Sequence, residues 1–205
     1  RAGQTVADSV EIAVTSGNSY TVATALEGAL AAAEALDVDL SRSTAAVVGA
    51  TGSIGSVCAR FLARKVPRLV LSARSKSRLK VLAETIQKES STALKIEMDL
   101  ARALSEADIV ITATSSGGNI IAAEHLKTGA IVSDVAVPHD VCREVARLRP
   151  DVLVIEGGVV EVPGEVDFGL DFGYPKGIAL ACMAETMILT LEGRFENFSL
   201  GRGLD

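Results

Sequence analysis

The chain has 205 residues, of which 48% are hydrophobic and only 3% aromatic, and its formal net charge is −6. This length and hydrophobic content are sufficient for one domain with a sizeable core, with or without extensions. The negative charge argues against a nucleic-acid-binding surface, which would be basic, so no nucleic-acid partner is expected. Small aliphatic residues and 18 glycines, in place of aromatic residues, are typical of helices packed closely on a parallel sheet.

The three cysteines, at positions 58, 142 and 182, are widely spaced. An odd number without metal-type pairing suits reduced thiols, and we expect a cytoplasmic protein. No membrane span is predicted, because the longest apolar run, near the C-terminus, contains the acidic Glu185. The sequence begins at Arg1 without an initiator methionine, so we expect that an N-terminal portion is missing.

Strands and helices alternate along most of the chain. Residues 1–42 form a lead-in whose alanine-rich part, about Tyr20 to Leu36, predicts a flanking helix. We expect this lead-in to be a remnant of a substrate domain or a link to one. From residue 43 on, apolar runs predict six strands, at Ala45–Val48, Arg68–Ala73, Leu94–Met98, Ile109–Ala113, Ala130–Val135 and Val152–Ile155. This alternation predicts a doubly wound α/β fold, a parallel sheet of the Rossmann type, for residues 43–175.

Two segments near the C-terminus depart from this alternation. Residues 159–168 alternate apolar and polar side chains around Pro163-Gly164, which predicts a small hairpin or an extended loop. A final helix, about Lys176 to Leu191, is apolar on nearly all sides and is expected to be buried, here or against a partner subunit of a homo-oligomer. Residues 176–205 are therefore expected to pack back on the functional site.

The strongest local signal is a glycine-rich segment between the first predicted strand and the helix after it. Glycines permit a tight turn and a close approach to a pyrophosphate, and the helix N-terminus offers N–H groups and a positive dipole end to the phosphates. The pattern is GxxGxxG, and the alternative is a packing turn without a ligand. The predicted dinucleotide-binding residues of this turn are Gly49, Thr51, Gly52, Ser53, Ile54 and Gly55.

The end of the second predicted strand indicates which nicotinamide dinucleotide would bind. A site for NAD usually has an acidic residue there, but this sequence has no acid before Glu84. Arg74 is placed to hold a 2′-phosphate, to which a guanidinium is well suited. Hydrogen bonds from Ser72 or Ser75 and charge from Lys76 or Arg78 could add to it. These residues predict NADP(H), the alternative being a solvated basic loop; Ser77 is expected to cap the next helix.

Small residues follow two further predicted strands. Ala113, Thr114 and Ser115 follow the fourth strand, and Gly157 follows the sixth. Ligands of open α/β sheets bind at the carboxyl ends of strands, so these residues are predicted to border the ribose and the nicotinamide. Each segment is also compatible with a simple turn.

Several polar groups could carry chemistry. Asn18 and Ser19 could contact a substrate, although a helix cap accounts for the pattern better. Cys182 and Glu185 are three residues apart and so share one face of the final helix, where a thiolate could attack an acyl group and a carboxylate could assist proton movement. The alternative is an inert core cysteine. His125 and His139 suit surface or capping roles, and no metal-ligand set stands out.

Four stretches carry a family resemblance: residues 15–19 (TSGNS), 49–55 (GATGSIG), 157–161 (GGVVE) and 181–187 (ACMAETM), the last continuing to a tail at 197–202 (NFSLGR). Together, and in this order, they resemble the long-chain acyl–acyl-carrier-protein reductases that form fatty aldehydes, which are distant relatives of the shikimate dehydrogenase group. The stretch 166–176 departs from the pattern of that family.

The resemblance implies that Cys182 accepts the acyl group of a carrier-protein or coenzyme A thioester, and that NADPH then reduces the bound acyl group to an aldehyde. Two alternatives remain. One is a dehydrogenase like those of shikimate or amino acids, with the same cofactor and a small polar substrate bound by Asn18 and Ser19. The other is a regulatory module that binds NADP(H) without turnover and uses its final helix as an interface.

Overall fold

The structure, a computed structural model, describes residues 2–171 and 173–200. The chain divides into two compact units. The central unit runs from Ala25 to Gly157, and the terminal unit combines the segments before and after it. The predicted division into domains, with boundaries after residues 42 and 175, differs from these units and stays a prediction. Of the tail that resembles the reductases, Gly201 and Arg202 lie outside the described residues.

The central unit contains a six-stranded, wholly parallel sheet. The strands are β1 (Thr44–Val48), β2 (Arg68–Ser72), β3 (Ala93–Ile96), β4 (Ile109–Thr112), β5 (Ile131–Asp134) and β6 (Leu153–Glu156). Their order is β3-β2-β1-β4-β5-β6, which is the doubly wound order with its switch point between β1 and β4. This confirms the predicted fold and all six predicted strands, to within two residues at each end.

Helices flank this sheet, and the apolar strand sequences explain why. Every residue of β1, β4 and β5 is buried. Successive side chains of a strand point to opposite faces, so both faces of these strands are covered. The helices of the chain are α1 (Ala2–Ala7), α2 (Asn18–Ala35), α3 (Ser53–Leu62), α4 (Lys76–Glu89), α5 (Leu100–Leu104), α6 (Val145–Leu148) and α7 (Ala181–Leu191).

Helix α2, the predicted lead-in helix, begins in the terminal unit and continues into the central unit. Its alanines allow close packing, since Ala25, Ala29 and Ala33 are wholly or almost wholly buried. The hydroxyl of Ser133, on β5, donates to the carbonyl of Ala25 at 3.2 Å. The lead-in helix is therefore part of the packing of the central unit on the side of β5.

The N-cap of helix α4 is Ser75. Its side chain accepts a hydrogen bond from the backbone N–H of Arg78. The expectation that Ser77 caps this helix is wrong, because Lys76 already has helical conformation and Ser77 lies inside the first turn. Leu79 and Ile86 of α4 are fully buried.

The terminal unit contains a two-stranded antiparallel sheet, β7 (Val159–Glu161) with β8 (Ile178–Leu180). The expected local hairpin around Pro163-Gly164 is therefore wrong, because β7 pairs with a strand that lies beyond residue 175. Pro175 and Gly177, whose φ is +81°, interrupt helical conformation before β8. Helix α7 consequently begins at Ala181 and not near Lys176.

Helix α7 is buried on one side only. Ala181, Ala184 and Glu185 are buried, whereas Leu191 is 86% exposed within this chain. The expected burial on nearly all sides is thus limited to the face that carries these three residues. Of the described helices, none has both the length and the hydropathy that crossing a membrane requires.

Candidate functional site

The glycine turn joins β1 to α3 at the switch point of the sheet. Gly49 has φ +77°, and a Cβ there would lie 2.4 Å from the carbonyl oxygen of Ala113, at the end of β4. A Cβ on Gly55 would lie 2.4 Å from the carbonyl oxygen of Gly49. Both positions therefore need glycine, the first for its left-handed conformation and its contact with β4, the second for the close packing of α3 on the turn.

Gly52 is the N-cap of α3 and has no side chain with which to cap the helix. Its own N–H donates to the carbonyl of Gly49 at 2.9 Å, which closes the turn. A helix N-terminus without a capping side chain is suited to an anion such as a pyrophosphate. The remaining predicted residues of this segment, each partly exposed, are Thr51, Ser53 and Ile54. The turn thus has the local geometry that dinucleotide binding requires.

The end of β2 supports this turn. The carbonyl of Ser72 accepts from the N–H groups of Gly49 and Ala50, at 2.9 and 3.1 Å. The side chain of Ser72 is buried, so the geometry gives this residue a role in holding the turn. Arg74 is exposed and makes no hydrogen bond or ion pair with any part of the chain that the structure describes. Its guanidinium is thereby available to a phosphate, and exposed Arg78 lies on the first turn of α4.

A buried carboxylate organises the loop after β4. Asp140 has 0% exposure. Its Oδ2 accepts from the hydroxyl of Thr112 at 2.5 Å and from the N–H of Thr114 at 3.1 Å. Its Oδ1 accepts from the hydroxyls of Thr114 and Ser116, at 2.6 and 2.9 Å. Ala113 and Thr114, two of the predicted cofactor residues, are partly buried beside this carboxylate, while Ser115 is exposed.

A second buried carboxylate, Asp134, ends β5. It accepts from the N–H of Ala136 at 3.0 Å and from that of Val141 at 2.9 Å. Burial raises the pKa of Asp134, and these two hydrogen bonds oppose the rise. His139 lies between Asp134 and Glu156, with nitrogen–oxygen distances of 3.8 and 3.3 Å. Because Asp134 and Glu156 are paired in register, polar groups continue along the carboxyl edge of the sheet.

Gly157, directly after β6, has a packing role in the central unit. A Cβ at this position would lie 2.2 Å from the hydroxyl oxygen of Ser133 and 3.4 Å from the Cα of Ala25. The absence of a side chain therefore allows α2 and the end of β5 to come close. Its predicted contact with the nicotinamide stays a prediction.

The predicted catalytic cysteine belongs to the terminal unit. A Cβ on Gly17, whose φ is +71°, would lie 2.2 Å from the Cα of Cys182. The backbone of Cys182 is thus in direct contact with the residue that precedes helix α2. Cys182 is also the second residue of α7. Cys182 therefore lies in the first turn of α7 and beside the residue before α2, and helix N-termini favour negative charge.

Glu185 is buried one turn of α7 beyond Cys182 and accepts three hydrogen bonds. The donors are the hydroxyl of Thr15, the backbone N–H of Tyr20 at 2.7 Å and the hydroxyl of Ser199 at 3.4 Å. The carboxylate lies at the N-terminus of α2, where it satisfies an N–H group and complements the helix dipole. Glu185 therefore ties the turn that contains Gly17 to the helix that carries Cys182.

The predicted substrate residues border the same network. The N–H of Ser19 donates to the hydroxyl oxygen of Ser199 at 3.0 Å, and the two hydroxyls are 2.5 Å apart. Asn18 is the first residue of α2. Glu185 and Ser199, which are distant in sequence, thus accept hydrogen bonds from the N–H groups of Tyr20 and Ser19 at the start of this helix. Their predicted substrate contact stays a prediction.

The three cysteines differ in their surroundings. Cys58 is buried in α3, and this burial raises the pKa of its thiol to about 12. Burial and the nearby carboxylates of Glu144 and Glu124 raise the pKa of Cys142. Both environments disfavour the thiolate, which is the nucleophilic form. Cys182 lies in the first turn of α7 and contacts Gly17, the residue before α2.

The histidines and possible metal ligands add little to the site. Nδ1 of His125 accepts from the N–H of Ala122 at 3.2 Å, so this side chain has the expected capping role. The described residues contain no group of three or more histidine, cysteine, aspartate or glutamate side chains that could hold a metal ion.

Sequence reasoning did not identify Thr15, Asp134, Asp140 or Ser199. Ser199 lies in the NFSLGR tail, so the resemblance was the available signal for it. Asp134 and Asp140 follow the fifth strand, and an acidic residue at the carboxyl end of a strand was a signal for both.

Comparison with known proteins defines the family. The family model for shikimate / quinate 5-dehydrogenase matches residues 30–155, which is more than half of the chain. The chain belongs to this family. The match covers most of the central unit, including the glycine turn and the loop after β4, and confirms the resemblance that the sequence motifs carry.

Two curated relatives align with nearly the whole chain. The long-chain acyl-[acyl-carrier-protein] reductase of Synechococcus elongatus is 35% identical over 195 residues, covering 92% of this chain and 55% of that protein. The aminotransferase PigE of a Serratia species is 31% identical over 211 residues, covering all of this chain and 24% of that protein. The chain thus spans about half, or less, of the length of these relatives.

Among solved structures, the dipicolinate synthase polypeptide of Bacillus halodurans superposes with a TM-score of 0.55 at 19% identity. The superposition covers 68% of this chain and 46% of that one. At this identity the likeness concerns the fold, which agrees with the doubly wound sheet of the family.

Proposed function

We propose that this member of the shikimate dehydrogenase family is an NADP(H)-dependent oxidoreductase that reduces an acyl thioester to an aldehyde through an acyl-enzyme at Cys182. The observation that carries the proposal is the placement of Cys182 in the first turn of α7, against Gly17 and one turn before the buried Glu185. A relative that aligns with 92% of the chain is a long-chain acyl-[acyl-carrier-protein] reductase, and this supports a carrier-bound acyl substrate.

The central unit would hold the cofactor. Gly49 and Gly55 allow the turn to pack tightly against the end of β4 and the start of α3, and Gly52 precedes helix α3 without a capping side chain. Arg74 is an exposed cation without a protein partner among the described residues, and no acidic side chain precedes Glu84 after β2. These features suit a pyrophosphate and a 2′-phosphate, respectively. When bound, the reduced nicotinamide would supply hydride to the acyl carbon on Cys182.

The first chemical step belongs to Cys182. Its sulfur attacks the thioester carbonyl, a new C–S bond forms, the bond to the carrier sulfur breaks, and the thiol proton of Cys182 passes to the departing carrier thiolate. Cys182 lies in the first turn of α7 and contacts Gly17, the residue before α2, and N–H groups at helix starts favour the negative charge that develops on the carbonyl oxygen. After hydride has been added to the acyl carbon, the C–S bond to Cys182 breaks, the aldehyde leaves, and the released thiolate takes up a proton from solvent.

Glu185 would support this step by holding the segments around Cys182 in position. Its two carboxylate oxygens already accept hydrogen bonds from Thr15, Tyr20 and Ser199. Its contribution is to hold the turn at residues 15–20 against helix α7. Asn18 and Ser19, at the start of α2, would contact the substrate near the sulfur.

Trapping of the acyl-enzyme tests the proposal. The protein is incubated with a long-chain acyl thioester of coenzyme A or acyl-carrier protein without NADPH, and its mass is measured. We expect the mass to rise by one acyl group, the acyl group to map to Cys182, and NADPH to release it as aldehyde. Cys182→Ala should remove the adduct and the turnover, whereas Cys142→Ser should retain both. Turnover by Cys182→Ala at the normal rate would refute the covalent mechanism.

A second candidate is a dehydrogenase of a small polar substrate that uses no covalent step. The family match to shikimate / quinate 5-dehydrogenase over residues 30–155 favours it. Polyols, hydroxy acids and amino acids with NADP+ would then give turnover that Cys182→Ala retains. Thioester reduction without activity on this panel would exclude it.

A further inference from the structure

The loop after β4, residues 113–118, is held from one side by the loop after β5. Besides its side-chain contacts, Asp140 accepts through its backbone carbonyl from the N–H groups of Ile120 and Ile121, at 2.7 and 2.9 Å. The carbonyl of His139 accepts from the N–H of Asn119 at 2.9 Å. A Cβ on Gly118 would lie 2.7 Å from that same carbonyl oxygen. The two loops are therefore in backbone contact at the far end of residues 113–118.

At its near end the same loop adjoins the glycine turn. The N–H of Ala113 donates to the carbonyl of Val48 at 3.0 Å. The carbonyl oxygen of Ala113 lies 2.4 Å from the position that a Cβ on Gly49 would take. Residues 113–118 thus lie at the switch point, on the side of β4. In a doubly wound sheet this half holds the nicotinamide nucleoside, and the half formed by β1, β2 and β3 holds the adenosine.

Within this loop the polar groups divide into two sets. The hydroxyls of Thr112, Thr114 and Ser116 are all directed to the carboxylate of Asp140. Ser115, in contrast, is exposed and makes no hydrogen bond with any described residue. A buried acceptor thus fixes the conformation of the loop, while Ser115 is left for a ligand.

We infer that Asp140 is a positioning residue that sets the affinity for the nicotinamide nucleoside by holding residues 113–118 in their binding conformation. This inference rests on the proposed binding of NADP(H), and it does not depend on the thioester chemistry. Asp140 touches no ligand in this account; it acts through Thr114 and Ser116. A carboxylate is required because an amide would place an N–H group opposite one of the donors, either the hydroxyls or the N–H of Thr114.

The experiment compares a whole dinucleotide with its adenosine half. Dissociation constants for NADPH and for 2′,5′-ADP are measured by calorimetry with wild type, Asp140→Asn and Thr114→Val, together with melting temperatures. We expect Asp140→Asn to weaken NADPH binding by about tenfold or more while 2′,5′-ADP binding changes by less than about twofold. Thr114→Val, which removes one hydroxyl donor to the carboxylate, should shift NADPH binding in the same direction by a smaller factor.

Asp108 provides the matched control, because it is a structural carboxylate of the same unit that precedes β4 instead of following it. It accepts from the N–H of Thr44 at 2.8 Å and pairs with Lys127. Asp108→Asn should lower the melting temperature without changing the ratio of the two dissociation constants.

Three results would overturn the inference. Equal weakening of NADPH and 2′,5′-ADP in Asp140→Asn would mean general damage to the unit, and unchanged NADPH binding would mean that the loop does not contact the nicotinamide half. If the wild-type protein binds neither compound, the proposed cofactor itself is wrong, and the inference fails with it.

Discussion

Gly17 and Cys182 are in van der Waals contact through their backbones, although 164 residues separate them in the sequence. A methyl group on Gly17 would overlap the Cα, Cβ and carbonyl oxygen of Cys182, at 2.2, 2.3 and 2.6 Å. The position of the candidate nucleophile therefore depends on a residue of the opposite segment of the terminal unit.

Gly17→Ala should displace Cys182 and slow the acylation of its sulfur by about 100-fold, because small errors in the placement of a reacting group cost about this much. The matched control is Gly193→Ala. Gly193 has a similar φ, +67° against +71°, but nothing lies within 4 Å of its Cβ position. Acylation is followed by mass spectrometry and folding by circular dichroism. Equal acylation rates in the two variants would show that the contact is unimportant.

Gly49→Ala should abolish the binding of NADPH. The new Cβ would meet the carbonyl oxygen of Ala113 at 2.4 Å and force the turn away from β4. Gly129 has almost the same φ, +75° against +77°, and open space at its Cβ position. Gly129→Ala therefore has the same backbone strain, about 1 kcal/mol, without the clash. It should lower stability slightly and leave NADPH affinity intact, as measured by fluorescence titration; loss of affinity in both variants would refute the role of the turn.

Arg74→Ala should weaken NADPH binding by about 10- to 100-fold, as expected for the loss of a charged hydrogen bond of about 1.5–3 kcal/mol. NADH, which has no 2′-phosphate, should bind both proteins equally. Lys80→Ala, which removes another exposed cation from the adjoining helix α4, serves as the control. The measurement is the ratio of the dissociation constants for NADPH and NADH. If that ratio is the same in wild type and Arg74→Ala, another residue binds the 2′-phosphate.

Asp134 should contribute to the free energy of unfolding, and this contribution should fall as the pH rises. The pKa of this carboxyl is raised above its ordinary value of 3.8, mainly by burial, so the folded state binds the proton more tightly than the unfolded state. The stabilisation is fully present below pH 3.8 and is lost as the pH rises through the raised pKa. In urea unfolding, the advantage of wild type over Asp134→Asn should narrow over that window, and a constant difference would contradict the shift.

The contribution of Asp151 to the free energy of unfolding should depend on pH in the opposite direction. Hydrogen bonds from Arg149 lower the pKa of this exposed carboxyl from 3.8 to about 2. Its stabilisation is therefore present above pH 3.8 and is lost as the pH falls toward about 2. The melting temperature of wild type should exceed that of Asp151→Asn near neutral pH and converge with it in acid. Because the pair is at the surface, added salt should reduce the difference, and insensitivity to both salt and pH would argue against an ion pair.

The strands of the sheet were predictable from the sequence because each is a short, mainly apolar run near glycine, proline or polar residues. The glycine turn was predictable for a related reason: its geometry is set by residues that are neighbours along the chain. Local interactions also placed helix α2. They were less reliable where two serines stood near the same helix start, and Ser75 rather than Ser77 proved to be the cap.

The polar networks were not predictable in this way. Asp140 bonds to residues 24–28 positions away, and Glu185 bonds to residues 165 and 170 positions away. No periodicity or spacing links such partners, since they meet only when the chain has folded. The pairing of β7 with β8 escaped prediction for the same reason, because residues 162–177 lie between the two strands.

The hydrogen bonds of Glu185 have a consequence for the order of folding. The central unit is one uninterrupted stretch of chain, so it can fold as soon as its last strand has been synthesised. The terminal unit has to bring together Thr15 and Glu185, which closes a loop that includes the whole central unit. Closure of so long a loop has a large entropic cost unless the intervening chain is already compact. The segment around Cys182 would thus be the last part of the molecule to form, and a nascent chain would acquire its parallel sheet before its candidate nucleophile.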